Sequence, residues 1–120
     1  MAYARCAVSV SHRHIFNELT RQDTNMSTLA AIGIDVGGTK MEIGLVDQQG
    51  RIMASLCTAS KYGIAPEEWV SNVKQAVGEL CRQEPEAQLR AVGVGFAGQI
   101  DPTTGAVLGS PNLGWKDVPL

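Results

Sequence analysis

The stretch Ala31-Ile32-Gly33-Ile34-Asp35-Val36-Gly37-Gly38-Thr39-Lys40-Met41-Glu42-Ile43-Gly44-Leu45-Val46-Asp47 decides the fold. Its first part, 31–36, is an apolar run that reads as a buried strand. That strand delivers Asp35 and two glycines into a tight turn, and a second strand over 41–46 carries the chain back. The paired glycines let backbone N–H groups approach a bulky anion with no Cβ in the way. A turn of exposed N–H groups is a concave anion site, to which the Thr39 hydroxyl and Lys40 ammonium add donors and charge. Asp35, at the strand end, is placed to hold a hydrated divalent cation near the same anion. Together these parts point to a nucleotide phosphate and its metal. Read alone, the same turn is also good hairpin chemistry, and Lys40 either reaches phosphate or faces solvent.

Outward from this stretch, Asp47-Gln48-Gln49-Gly50 reads as a turn, with Asp47 capping it. A third strand comes next over 51–59, completing an antiparallel meander. Pro66 suits the first position of a helix, and Glu67 and Glu68 favour its positive N-terminal end. Trp69, Val70, Val73, Ala76, Val77, Leu80 and Cys81 recur at helical spacing, which predicts one buried face, and Pro85 marks the stop. The run 89–96 predicts a fourth, buried strand, parallel to a meander strand after the helical crossover. Residues 98–105 form a turn punctuated by Pro102 and Gly105, with Asp101 as a turn residue. A short strand over 106–108 and a structured loop over 110–115 complete the pattern. Trp69 reads as core and Trp115 as a packing anchor for its loop.

Residues 1–30 do not resemble the rest of the chain. They read as a tail, disordered or upstream of the true start, with a weak helical patch over 14–20 and Met26 as an alternative initiator. His12 and His14 in this tail read as solvated surface. The globular unit is 31–120.

Composition limits the partners. The 120 residues amount to one domain at most, and their 44 % apolar content is enough for a real core. The net charge of −2 supplies no basic field for DNA, RNA or anionic membrane, so a phosphate must be held by local donors. Aromatic content of 5 % argues against a base-stacking surface. No apolar run approaches the ~20 residues needed to span a bilayer. Cys6, Cys57 and Cys81 are widely spaced and form no CxxC pair, which reads as free thiols in a reducing compartment. The expected location is the cytoplasm.

Three segments carry a family resemblance. Asp35-Val36-Gly37-Gly38-Thr39-Lys40 resembles the first phosphate motif of the ROK family of sugar kinases and sugar-responsive repressors. Gly93-Val94-Gly95-Phe96-Ala97-Gly98-Gln99-Ile100-Asp101 resembles that family's next glycine-rich segment, with Ala97 where many members have Pro. Ser110-Pro111-Asn112-Leu113-Gly114-Trp115 resembles its sugar-side loop. The resemblance implies an α/β fold, the N-terminal half of an actin-like (ribonuclease H-like) ATPase domain. It implies ATP-dependent phosphorylation of a hexose, glucose first, at the 6-hydroxyl. Gly37, Gly38, Thr39 and Lys40 would lie along the ATP phosphates, and Asp35 would hold Mg²⁺ through water. Gly98, Gln99 and Asn112 would border the sugar. The partners implied are a small sugar and a nucleotide, in a homodimer or homotetramer.

The family's catalytic base belongs to an Asn-Asp pair that does not occur before Leu120, and none of the residues at hand takes that role. The family's zinc-binding cysteines and second domain also lie outside this sequence. The chain is therefore expected to be an N-terminal fragment, inactive alone. The alternatives are the sensor domain of a ROK-type repressor and an inactive truncated product.

Overall fold

A computed structural model of the chain describes residues 27–119. The helical patch 14–20, His12, His14, Cys6 and Met26 lie outside the described residues. The element order is β1 (Thr28–Val36), β2 (Lys40–Asp47), β3 (Ile52–Ala59), α1 (Pro66–Gln83), β4 (Ala87–Phe96), β5 (Gln99–Ile100) and β6 (Val107–Gly109). The first four strands form one sheet in the order β3-β2-β1-β4, and β5 pairs with β6. The β1–β2 and β2–β3 pairs are antiparallel, as the meander requires. β4 returns parallel to β1 after the helix, with Ile34 opposite Val94 and Val36 opposite Phe96. This fulfils the crossover expectation.

Alternation along β1 and β2 builds the core. Ile32, Ile34 and Val36 on β1 and Met41, Ile43 and Leu45 on β2 are buried on one face, the period-2 pattern of a sheet packed on one side. Helix α1 covers that face over β2 and β3. Pro66 stands at its N-terminus, where its missing N–H costs nothing, and Glu67 and Glu68 in the first turn and Arg82 in the last complement the helix dipole. Trp69, Ala76 and Leu80 are its buried residues. Burial of Leu80 alone is worth about 1.5–3 kcal/mol. Among the described residues no helix is long and apolar enough to cross a membrane.

The structure corrects several expectations. β1 opens at Thr28 rather than Ala31, because Thr28 already pairs with Ala87 and its N–H bonds the Glu86 carbonyl at 3.1 Å. The apolar face of α1 is narrower than its spacing predicts: Val70 is 37 % exposed and Cys81 is only half-buried. β4 is not buried. Leu89, Val92 and Val94 are exposed, Val92 by 55 %. β4 is an edge strand, and α1 lies mainly against β2 and β3, which leaves the middle of β4 open. Finally, Gln99 and Ile100 are strand residues rather than part of a turn, paired with Gly109 and Val107.

The opposite face of the sheet is lined by small residues. Ser55, Gly44, Gly33 and Gly93 stand in register across the four strands. They floor a trough of about 580 Å³ that Asp35 and Glu42 also line.

Candidate functional site

The turn between β1 and β2 is closed by the Gly37 N–H, which donates to the Lys40 carbonyl at 2.9 Å. The Ser60 N–H donates to the Thr39 carbonyl at 3.0 Å and fastens the turn to the end of β3. The Ser60 hydroxyl is buried with no partner among the described residues. The two glycines serve different ends. A Cβ on Gly37 would fall 2.9 Å from the Lys40 carbonyl oxygen, so the turn itself demands glycine there. A Cβ on Gly38 would meet only Asn112 Oδ1, at 3.8 Å, and Gly38 is not among the positive-φ glycines. Neither strain nor neighbours require glycine at 38. Its bare, exposed backbone leaves open space beside the turn.

Asp35, exposed near the end of β1, is the cross-strand partner of Glu42. Lys40 Nζ lies 2.6 Å from Glu42 Oε1, with side-chain exposures of 58 % and 42 %. Thr39 is exposed at the tip of the turn.

The loop 110–115 comes to this turn from the far end of the chain. Asn112 Nδ2 donates to the Val36 carbonyl at 3.3 Å. The loop is held by Gly114 N–H to Ser110 O at 2.8 Å and by the Ser110–Trp115 bridge. Gly114 has φ 68° and the Tyr62 ring against it, so a side chain would be strained and obstructed. Trp115 anchors the loop as expected. It is buried, it meets Trp69 edge-on with centroids 5.6 Å apart, and its Nε1 donates to Ile64 O at 2.7 Å.

The glycine-rich segment adjoins the same loop. Ser110 Oγ donates to the Ala97 carbonyl at 3.1 Å. A Cβ on Gly98 would fall 2.5 Å from the Gly109 carbonyl and 2.9 Å from the Phe96 ring, so packing alone explains that glycine. Gln99 is exposed on β5. The structure thus joins the glycine turn at 37–40 to Asn112 directly. Gly98 and Gln99 reach the assembly through Ala97 and Ser110.

Two other carboxylates are occupied as turn residues. Asp47 accepts the Gln49 and Arg51 N–H groups, each at 2.9 Å, and Arg51 Nε at 2.7 Å. The Arg51 N–H bond, opposed by burial and aided by the Arg51 guanidinium and the Gln49 N–H, holds its carboxyl below the usual range. Asp101 accepts the Thr103 N–H at 2.8 Å and its pKa is lowered chiefly by that bond. Their oxygens are engaged and their pKa values lowered, which makes both weak proton acceptors.

Sequence reasoning does not single out Glu42 or Ser60. The signal for Glu42 was available in Lys40-Met41-Glu42, since residues two apart on a strand share a face. Ser60 carries no comparable signal.

A glycine turn between antiparallel strands, on a β3-β2-β1-β4 sheet with a helical crossover, is the arrangement of the N-terminal half of an actin-like ATPase domain. Residues 31–120 match the ROK family, and the chain belongs to it. It is 32 % identical over 96 residues to a glucokinase of Thermotoga maritima, covering 79 % of this chain and 29 % of that protein. It is 30 % identical over 100 residues to a putative xylose repressor of a Caldicellulosiruptor species, covering 82 % of this chain and 25 % of that protein. Among solved structures it superposes on a ROK glucokinase of Streptomyces griseus in complex with glucose and AMPPNP. The TM-score there is 0.64 at 35 % identity, over 76 % of this chain and 28 % of that one. The chain thus spans under a third of the length of these relatives.

Proposed function

We propose that the complete protein transfers the terminal phosphoryl group of ATP to the 6-hydroxyl of a hexose, with glucose the first candidate. The observation that carries this reading is the Asn112–Val36 bond, which sets the sugar-side loop against the phosphate turn. Phosphoryl transfer depends on positioning and charge neutralisation, and the two segments supply part of both. In this reading the Gly37, Gly38 and Thr39 backbone lies along the phosphates, and Lys40 adds charge. Asn112, Gly98 and Gln99 border the sugar, whose hydroxyls both donate and accept.

The donor set fits Mg²⁺. Asp35, the Thr39 hydroxyl and the phosphates are hard oxygen donors. Among the described residues no cluster of three His, Cys, Asp or Glu is assembled, so Asp35 would hold the ion through water with the phosphates completing the shell. When bound, Mg²⁺ neutralises phosphate charge. The family resemblance assigns the base that takes the sugar proton to an Asn-Asp pair outside these residues, and Asp47 and Asp101 are committed to their turns. The reading includes a cytoplasmic homodimer or homotetramer, with the N-terminal ATPase unit beginning at Thr28, where β1 opens, and the residues before it as a tail.

The repressor relative favours a second reading, the sugar-sensing domain of a transcriptional regulator. An assay of the complete gene product separates the two. Kinase function predicts ATP-dependent formation of hexose 6-phosphate that falls tenfold or more, by an order-of-magnitude expectation, in Asp35→Asn. A folded protein with no turnover on any hexose, or one that binds DNA sequence-specifically, would overturn it.

A further inference from the structure

Lys40 is the one cation of the phosphate turn, and the structure gives it a carboxylate. Its Nζ stands 2.6 Å from Glu42 Oε1. Lys40 and Glu42 project from the same face of β2 because they are two residues apart. Asp35 shares that face as the cross-strand partner of Glu42. Asp35 and Glu42 line the same trough, with the turn at its end.

We infer that Glu42 is a positioning residue for Lys40, holding the ammonium against β2 in competition with a bound phosphate. The inference rests on the phosphate-turn reading above and deepens it. A phosphate that recruits Lys40 must draw the ammonium away from Glu42 Oε1. Both side chains are about half exposed, so the exchange demands little desolvation and the pair is weak enough to break. Glu42 thereby lowers the affinity of the turn for phosphate and keeps bound nucleotide exchangeable.

The test is a titration of the full chain with MgATP at about 0.15 M salt, where charges beyond ~8 Å are screened. It is followed by the amide resonances of Gly37, Gly38 and Thr39 and by the Lys40 ammonium signal. Glu42→Gln should tighten MgATP about threefold, as expected for releasing an exposed ion pair. In a Lys40→Met background the same substitution should leave affinity unchanged. In the wild type, MgATP should move the Lys40 signal. Three results would overturn the inference alone: unchanged or weaker binding in Glu42→Gln, an equal gain without Lys40, or a Lys40 signal indifferent to MgATP. If the wild-type turn amides do not respond to MgATP at all, the phosphate-turn reading fails and takes the inference with it.

Discussion

Asn112 donates its side-chain amide to the carbonyl of Val36, 76 residues earlier in the chain, across 3.3 Å. One bond therefore couples the loop at 110–115 to the last residue of β1, where the glycine turn begins. Replacing Asn112 by Ala should cost about 1 kcal/mol of stability, or roughly 5 °C in melting midpoint for a unit of this size. Sugar and nucleotide affinity should fall together. Thermal denaturation with parallel ligand titrations checks this, and a loss confined to the sugar would show that the bond does not couple the two segments.

The two turn glycines should separate fold from function. Gly37→Ala forces the turn open against the Lys40 carbonyl and should destabilise by about 1–3 kcal/mol. Gly38→Ala meets no neighbour closer than 3.8 Å and should leave stability within about 0.5 kcal/mol. It should nonetheless weaken phosphate binding, because the new methyl group occupies the approach. Denaturant unfolding and MgATP titration of the two variants, side by side, give the comparison.

Trp115 fastens its loop through both its ring and its N–H. Trp115→Phe keeps the edge-on contact with Trp69 but leaves the buried Ile64 carbonyl unpaired, a loss of about 1–3 kcal/mol. Trp115→Ala should cost about 3–5 kcal/mol. Near-ultraviolet circular dichroism reports the Trp69–Trp115 pair directly, and its signal should survive in neither variant unchanged.

Asp47 gives the fold an acid limit. Its carboxyl is held below the usual carboxylate range by the Arg51 N–H, with the Arg51 guanidinium and Gln49 N–H assisting against burial. Near pH 4 the unfolded chain therefore binds more protons at this site than the folded one, and stability rises with pH there. The contribution is present above about pH 4, the unfolded value, and is lost as pH falls through the lower folded value. Asp47→Asn should flatten this part of the stability profile, as read by chemical unfolding across the acid range.

The legible parts of the fold were the ones that local chemistry dictates. The apolar run into Gly37-Gly38, the Asp47 turn and the Pro66 start each carry their own signal within a few residues. Trp115 could be read as an anchor because a large indole in a loop needs a place to bury. The exposure of β4 was not legible. Val92-Gly93-Val94 has the same pattern in a covered strand and in an edge strand, and only the position of α1 decides between them. Asn112 was expected at a sugar, but its hold on Val36 depends on a contact between segments 76 residues apart. The different duties of Gly37 and Gly38 emerged only once their surroundings were known.

The central claim is that the 37–39 turn receives nucleotide phosphates. Amide chemical shifts of the isotopically labelled chain, recorded during a MgATP titration, test it most directly. The account predicts saturable shifts at Gly37, Gly38 and Thr39, lost in Gly38→Ala while the remaining spectrum stays folded. Shifts that leave these three amides unmoved, or that persist undiminished in Gly38→Ala, would contradict it.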